Sequence, residues 1–328
     1  MKTRIASVRI LSAWVATLAL VTANAALAQS DWPARTVTIV NPFAAGSAVD
    51  VVLRLVAGRM SQTVGQQVLV ENRTGASGNI GPEHVARAKP DGYTLLAGSP
   101  GTMAINPYLF AKLPYDAVRD FSPVVQLVSF PQVLVVNPNL PIRTLDELLA
   151  YVRARAGRIN YSSAGQGTTS HLVMEMIKAD AKLEMTHIPY RGGAPAIQAV
   201  IAGDVQMAVE GLPSLPAQLK AGAVRPIIVT STQRAGLLPE VPALAETIAG
   251  FDAAAWIIIF APIGAPAAVL DRFALETRRA MDDATVRARL TEMGATVVGS
   301  GAADTAVFHR AQMEKFRRAV QVSGAKAE

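Results

Sequence analysis

The sequence Val37-Thr-Ile-Val-Asn-Pro-Phe-Ala-Ala-Gly-Ser-Ala-Val-Asp50 predicts a short buried strand, a tight loop and the start of a helix. The strand covers Val37 to Val40. Apolar residues in the helix follow the i, i+3, i+4, i+7 spacing of one buried face; they are Val49, Val52, Leu53, Val56 and Met60. Ser47 and Asp50 occupy the N-cap position and the acidic N3 position of this helix.

A loop that leads from a strand into an open helix N-terminus is typical of anion binding. The first N–H groups of a helix have no intrahelical acceptor, and the positive end of the helix dipole lies beside them. We therefore hypothesise that this loop holds part of an anion. The candidate ligand-binding residues are Phe43, Ala44, Ala45, Gly46, Ser47 and Asp50.

Strands and helices alternate after this loop. Gln67 to Glu71 and Tyr93 to Ala97 are short apolar strands, and a Gly-rich turn at Asn72 to Gly78 leads into a helix between them. This alternation predicts an α/β fold with a parallel sheet. The loops that follow the strands should lie together at one edge, where ligands of open α/β sheets bind.

The middle of the chain repeats the alternation and predicts a second domain. Val124 to Asn137 is apolar and interrupted by Pro131, which indicates a crossing between domains, and Trp256 to Phe260 indicates the return. We expect a discontinuous first domain of residues 29–130 plus 252–328 and a second domain of residues 131–251. The strands expected in the second domain are Arg158 to Ser163, Met185 to Pro189, Val205 to Val209 and Arg225 to Thr230.

A second small-residue loop lies between a strand and a helix at Ile159 to His171. Thr168, Thr169 or Ser170 could cap that helix. Two such loops, one in each domain, could offer N–H groups to the two ends of one ligand across a cleft. The candidate residues here are Ser163, Ala164, Gly165, Gly167, Thr168, Thr169 and His171.

For each of two side chains near the expected cleft, the sequence is compatible with two roles. His171 either donates to a carboxylate or bonds to the backbone in the first turn of its own helix. Glu210 follows a strand, where it either accepts from a ligand donor or caps the next helix.

The N-terminal segment predicts export. Lys2, Arg4 and Arg9 precede an apolar run from Ile10 to Val21, and Ala26-Leu-Ala28 provides a cleavage site, so residues 1–28 are expected to be a signal peptide. No later stretch is long and apolar enough for a membrane span. We expect a periplasmic protein that is cleaved near Ala28.

Charge and cysteine content exclude several classes of protein. The formal charge of +6 falls to +3 when the three basic residues of the signal segment are removed, and the rest is scattered. Nucleic-acid binding would need a clustered basic face. The chain has no cysteine, which excludes disulfides and an N-terminal lipid anchor. We expect a monomer without a cofactor or a metal.

Motifs of catalysis are incomplete. Ala97-Gly-Ser-Pro-Gly101 lacks the first glycine of the hydrolase nucleophile elbow. The four histidines form no H-x-x-x-H pair for zinc. Gly165 to Ser170 is only a weak match to a dinucleotide fingerprint. We expect no catalytic residues, although an exported α/β hydrolase or dehydrogenase stays as an alternative.

Short motifs along the whole chain carry a family resemblance. They are Asn41-Pro-Phe43 with Gly46 and Asp50, Glu71-Asn-Arg73, Gly78-Asn-Ile-Gly81, Pro90-Asp-Gly-Tyr-Thr-Leu95, Ile105-Asn-Pro107, Leu113-Pro-Tyr115, Leu134-Val-Val-Asn-Pro138, Asn160-Tyr-Ser-Ser163, His187-Ile-Pro-Tyr190 and Leu238-Pro-Glu-Val-Pro242. In this order they resemble the Bug receptors, the extracytoplasmic solute-binding proteins of the tripartite tricarboxylate transporter family.

The resemblance implies a type II periplasmic binding fold with a ligand cleft between two α/β domains. It further implies a small carboxylate held by N–H groups and waters at Phe43 to Ser47 and Ser163 to Thr169, and delivery to membrane permease subunits. A receptor for a two-component sensor is the alternative role. The chain departs from the family pattern at Ser47, usually glycine, at Glu210, often aspartate, and at Ala253 to Ala255.

Overall fold

The computed structural model describes residues 32–323. The expected signal peptide and its cleavage site lie outside the described residues. The eleven strands among those residues are β1 Val37–Asn41, β2 Val68–Asn72, β3 Thr94–Gly98, β4 Phe121–Phe130, β5 Gln132–Val136, β6 Asn160–Ser163, β7 Thr186–Pro189, β8 Met207–Gly211, β9 Arg225–Val229, β10 Ala255–Pro262 and β11 Thr296–Val297.

Ten α-helices connect these strands within the same part of the chain. They are α1 Ala48–Val64, α2 Ile80–Ala86, α3 Asn106–Leu109, α4 Leu145–Arg153, α5 Thr169–Ala181, α6 Gly193–Ala202, α7 Pro216–Lys220, α8 Ala267–Asp282, α9 Ala284–Glu292 and α10 Ala302–Ser323. None of the helices in residues 32–323 combines the length and the apolar composition that a bilayer crossing requires.

The strands form two sheets, each covered by helices, so the expected α/β fold class is confirmed. The first sheet has the order β11-β4-β10-β3-β1-β2 and the second the order β7-β6-β8-β5-β9. We call the parts of the chain around these sheets the first and the second lobe. The first sheet contains strands that precede the second sheet in the sequence and strands that follow it. The domain boundaries at residues 131 and 252 stay a prediction.

The parallel pairing expected from the alternation holds for only part of each sheet. β1 pairs in parallel with β2 and β3, and β6 pairs in parallel with β7 and β8. β10 is antiparallel to β3 and β4, and β5 is antiparallel to β8 and β9. Both reversed strands enter their sheet directly from the other lobe. A parallel entry would have required a crossover connection within the lobe.

Side chains of the central strands alternate between two buried layers. In β10, Ile257 and Ile259 join the core beneath α1 and α8, whereas Trp256, Ile258 and Phe260 join the core beneath α10. In β5, Leu134 and Val136 face one core of the second lobe, and Val133 and Val135 face the other. Burial on both faces is the expected consequence of helices on both sides of each sheet.

Two helices differ from the expectation. α4 was not expected, although Thr144 and Glu147 form a complete capping box at its start. The helix expected from Pro266 to about Ala284 is confirmed as α8. It is followed directly by α9, which was not expected and which Asp283 caps with its carboxylate.

Candidate functional site

A cavity lies between the two lobes, at the ends of strands from both sheets. Its empty volume, which includes space open to solvent, is about 450 Å³. The residues that line it are Phe43, Ser47, Ala48, Val49, Ser99, Pro100, Phe130, Gln132, Ala164, Thr168, Thr169, Ser170, Gly193, Glu210, Gly211, Ala255 and Trp256. We call this the inner cavity.

The N-terminus of α1 forms one wall of the inner cavity. Ser47 is the N-cap, as expected, and its hydroxyl accepts from the N–H of Asp50 at 3.3 Å. Ala48 and Val49 are the first two residues of the helix and both line the cavity. Their N–H groups have no intrahelical acceptor, so they are available to a ligand.

Asp50 lies behind the loop and not among the residues that line the inner cavity. Its Oδ2 accepts from the N–H of Gly46 at 3.0 Å and from Nε of Arg54 at 2.9 Å, and its Oδ1 accepts from the amide of Asn72 at 2.8 Å. Burial by itself raises the pKa of Asp50, but Arg54, Gly46 and Asn72 together lower this pKa below its ordinary value. The carboxylate therefore holds the loop in place from behind.

The second loop bonds most of its N–H groups to its own side chains. Ala164 donates to Oγ of Ser170 at 3.1 Å, Gly165 donates to Oγ of Ser163 at 3.1 Å, and Gly167 donates to Nδ1 of His171 at 3.3 Å. These N–H groups are thus engaged within the loop, where the sequence had suggested that they face the ligand.

The N–H groups of α5 remain open instead. Thr168 is the N-cap, and its hydroxyl accepts from the N–H of His171 at 3.4 Å. Thr169 and Ser170, the first two residues of the helix, line the inner cavity. Without intrahelical acceptors, their N–H groups are a second set of donors for the same space.

A stack of three rings supports the second loop from behind. The His187 ring lies between those of His171, at 4.2 Å, and Tyr161, at 4.9 Å, and its Nε2 is hydrogen-bonded to Oγ of Ser163 at 2.7 Å. Burial lowers the pKa of His171, and burial together with the His171 charge lowers the pKa of His187 to about 3. Both rings are therefore neutral near pH 7. His171 accepts from Gly167 and does not line the cavity.

A third helix begins at the same cavity. The sequence did not indicate that this helix start belongs to the site. Gly193 is the first residue of α6 and lines the cavity, and its N-cap is Gly192. A glycine cap has no side chain that could bond to the backbone, so the usual Ser, Thr, Asp or Asn signal is missing. The pair Gly192-Gly193 before an apolar helical pattern was the available sign.

Glu210 lies at the end of β8 against Gly193. Its side chain is 5% exposed and lines the inner cavity. Oγ of Ser214 donates to its Oε1 at 3.1 Å, while a Cβ built at Gly193 would lie 2.0 Å from its Oε2. Burial raises the pKa of Glu210 to about 7, although the Gly211 backbone and Ser214 act in the opposite direction.

The strands that cross between the lobes add further wall residues that the sequence did not reveal. Phe130, Ala255 and Trp256 supply apolar surface, and Ser99 lies at the end of β3. Gln132 is 7% exposed, and its Oε1 is buried without a hydrogen-bond partner. Buried polar atoms are normally bonded, so Oε1 of Gln132 can accept from a polar group of a ligand. A polar residue inside an apolar crossing segment was its only signal.

A second, outer cavity opens beside the first and has an empty volume of about 1120 Å³. Phe43, Ala164 and Thr168 line both cavities. Ala44 and Gly165 line only the outer cavity, where Arg191 contributes a guanidinium group. Among the expected site residues, six line neither cavity: Ala45, Gly46, Asp50, Ser163, Gly167 and His171.

The inner cavity is suited to an anion by its backbone and not by cationic side chains. Three helix N-termini end at it, and its wall holds one ionisable side chain, Glu210. In residues 32–323, no group of three His, Cys, Asp or Glu side chains is placed to hold a metal ion. The arrangement can bind an anionic group through N–H donors and helix dipoles.

Comparison with known proteins agrees with this geometry. The family described as "Tripartite tricarboxylate transporter family receptor" matches residues 52–324. A UPF0065 protein encoded in the tcbD–tcbE intergenic region of Pseudomonas sp. (strain P51) is 36% identical over 306 residues, 92% of this chain and 91% of that protein. The protein BugT of Bordetella pertussis is 31% identical over 297 residues, 90% of this chain and 91% of BugT.

Solved structures are similar over almost their whole length. Rpa4515 of R. palustris with adipate has a TM-score of 0.87 and 32% identity, covering 90% of this chain and 99% of that one. MatC of Rhodopseudomonas palustris with bound malate has a TM-score of 0.84 and 33% identity, covering 88% of this chain and 100% of that one. The type II periplasmic binding fold is thereby confirmed. The chain belongs to the tripartite tricarboxylate transporter family of periplasmic solute-binding receptors.

Proposed function

We propose that this receptor captures a small organic carboxylate in the inner cavity and delivers it to the permease subunits of a tripartite tricarboxylate-type transporter. Its affinity comes mainly from backbone N–H groups that are arranged for the anion before it binds. The ligand carboxylate lies between the N-termini of α1 and α5, with α6 beside them, and bridges the two lobes.

The observation that carries this proposal is the meeting of three helix N-termini at a wall without a cationic side chain. Each helix dipole contributes about 0.3 to 1 kcal/mol to the binding of an anion. Hydrogen bonds to a charged group contribute roughly 1.5 to 3 kcal/mol each. Directed N–H bonds from Ala48, Val49, Thr169 and Ser170 therefore account for most of the binding free energy.

The shape of the cleft favours a carboxylate of modest length. Apolar surface from Phe43, Phe130 and Trp256 surrounds the carbon chain, and Gln132 bonds to a polar group of the ligand or to a bridging water. The outer cavity leaves room for a second polar end near Arg191. The similar structures with adipate and malate hold dicarboxylates, which have this form.

Transport is the role that the family supports, and turnover of the ligand is not expected. The family consists of solute-binding receptors, and the inner wall offers no nucleophile paired with a base. A receptor that serves a sensor kinase would bind its ligand in the same way. Uptake of labelled ligand by cells with and without the receptor gene separates the two roles.

A thermal-shift screen against mono-, di- and tricarboxylates, amino acids, sugars and peptides tests ligand capture. A ligand at 100 times Kd should stabilise the protein by about 2.7 kcal/mol. A neutral sugar or peptide that shifts the melting temperature, while every carboxylate fails, would disprove the proposal.

The variant Thr169→Pro tests the N–H mechanism directly. Thr169 is the first residue of α5, and its N-cap Thr168 has extended φ and ψ angles of −74° and 162°, which a following proline accepts. Proline at this position removes the N–H while the helix persists. We expect a loss of affinity of roughly 10- to 100-fold with an unchanged apo melting temperature.

The matched control is Thr169→Ala, which removes the side chain but keeps the N–H. It should bind within a few fold of the wild type in isothermal titration calorimetry. Equal affinities of the proline and alanine variants would exclude this N–H as a ligand donor.

A further inference from the structure

We propose that Glu210 holds the ligand in its protonated form, donating its O–H to the ligand carboxylate, so that each capture event takes up a proton from solvent. The inference rests on the proposed carboxylate ligand. It assigns to Glu210 a role as a proton-dependent recognition residue and makes the affinity of the receptor depend on pH.

The first step is the position of the carboxyl group. Glu210 is the one ionisable side chain among the residues that line the inner cavity, and it is 5% exposed. A ligand carboxylate bound by the helix N-termini therefore shares this small space with a second carboxyl group. Burial of an unpaired charge is costly.

The second step is the lack of a compensating cation. β8 and α6 contribute no other ionisable side chain, and β5 presents the uncharged Gln132. On the other helices, Asp50 is paired with Arg54, and His171 is neutral and bonded to Gly167. Arg191 precedes α6 but lines the outer cavity.

The third step is the state of the empty site. Burial raises the pKa of Glu210 to about 7, against the smaller effects of the Gly211 backbone and Ser214. Near neutral pH the empty receptor is therefore divided between the two protonation states. Even a modest interaction with a second anion then shifts Glu210 to its protonated state.

The fourth step is the chemistry of two carboxyl groups in one site. Two carboxylates in contact do not both stay ionised, and one proton is shared between them. The ligand keeps its charge because the N-termini of α1 and α5 stabilise it. The proton from solvent therefore binds to Glu210. Ser214 already donates to Oε1, so Oε2, the oxygen that lies against Gly193, takes the proton and donates to the ligand.

For a ligand with an ammonium group, we expect binding to release a proton instead of taking one up. Its N–H donors would bond to ionised Glu210, and the buried Oε1 of Gln132 could accept from the same group. Binding would then release a proton from the fraction of Glu210 that was protonated in the empty receptor. The sign of the proton exchange on binding therefore distinguishes the two chemistries.

Isothermal titration calorimetry at pH 8 in phosphate and in Tris, which differ in ionisation enthalpy, measures this exchange. The probe is adipate, or malate if malate binds more tightly in the thermal-shift screen, since both are fully ionised at this pH. We expect an uptake approaching one proton per ligand. Kd should rise about tenfold per pH unit above the Glu210 pKa.

Three variants locate the proton. Glu210→Gln, which keeps a donor but cannot ionise, should bind without proton uptake and with a flat pH profile. Ser214→Ala removes a donor that favours the ionised carboxylate, so it should move the pH midpoint of binding upward. Glu292→Gln alters an exposed carboxylate and should retain the wild-type uptake.

The outcomes separate this inference from the proposed function. Carboxylate binding by the wild type without proton uptake, or with proton release, overturns the inference and leaves the proposed function standing. An unchanged proton uptake in Glu210→Gln overturns it as well. A screen in which no carboxylate binds overturns both. The pH profile of the wild type decides the matter even if Glu210→Gln fails to fold.

Discussion

Asp50 shows how a residue that resembles a ligand group can serve the fold instead. Its carboxylate is 3% exposed and accepts from a backbone N–H, two amides and a guanidinium group. Without the side chain, the Asn41 amide and the Gly46 N–H would lose this acceptor, whereas the Asn72 amide and Arg54 would each keep one other partner. The sequence identified the helix start at Ser47 and Asp50, because capping is local. It could not tell which way the carboxylate points.

The variant Asp50→Ala should lower the free energy of unfolding by about 1 to 3 kcal/mol, since it removes the acceptor of the buried Asn41 amide and of the Gly46 N–H. Urea unfolding at pH 7 measures the loss. The pKa of Asp50 is lowered in the folded state, so its contribution is present above about pH 4 and disappears as the pH falls further.

The control for this prediction is Asp282→Ala, which breaks the exposed ion pair with Arg287. Exposed pairs contribute about 0 to 1 kcal/mol, so this variant should unfold close to the wild type. Equal effects of the two substitutions would show that Asp50 does not organise the loop.

The ring stack behind the second loop leads to a prediction about the stability of the fold at acidic pH. His171, His187 and His309 are neutral in the folded state because burial lowers their pKa values. Below about pH 6.5 the unfolded chain binds more protons than the folded one. The contribution of these histidines to stability is therefore complete above that pH and declines as the pH falls through 6 to 5, while the raised pKa of Glu210 acts in the opposite direction over the same range.

The variant His187→Phe should reduce this decline, because one of the three buried rings that resist protonation is gone. Phenylalanine keeps a flat ring between His171 and Tyr161. Urea midpoints from pH 7 to pH 5 measure the effect. His84→Phe, at a half-buried position on α2, is the control. A slope that changes equally in both variants would contradict a specific role of His187.

Helices and strands could be predicted from the sequence where a local residue pattern encodes them. The apolar spacing in α1 and the short apolar strands located most of the sheet and helix segments. α4 was overlooked although its capping box was present, and the third helix terminus at Gly193 had no capping side chain. The reversed direction of β5 and β10 depends on which lobe the chain comes from, and no local pattern encodes that.

The site itself is a property of the whole molecule. Ser99, Gln132, Glu210 and Trp256 lie far apart in sequence and meet only because the chain crosses between the lobes twice. The two loops could be predicted from the sequence, since each follows a strand and precedes a helix. It could not give the burial of Glu210 or the missing partner of Gln132, because both depend on how the lobes face each other.

The two lobes approach each other closely at Gly101, which leads to a last prediction. A Cβ built at Gly101 in the first lobe would lie 3.2 Å from the carbonyl oxygen of Gly167 and 3.3 Å from Cα of Thr168 in the second lobe. The variant Gly101→Val should therefore separate the lobes and leave each core intact. Because binding requires the closed form, affinity should fall in proportion to the closed fraction. We expect at least a tenfold rise in Kd, which corresponds to a shift of about 1.4 kcal/mol toward the open form.

Small-angle scattering and calorimetry on the same sample test this closure. The radius of gyration of Gly101→Val should exceed that of the wild type in the presence of ligand, while the unfolding midpoint stays similar. Gly236→Val is the matched control, because a Cβ at this glycine meets no atom within 4 Å. If the radius of gyration of the variant equals that of the wild type while binding is weakened, valine blocks the ligand directly. In that case the closed contact at Gly101 would be part of the cavity wall and not a limit on lobe closure.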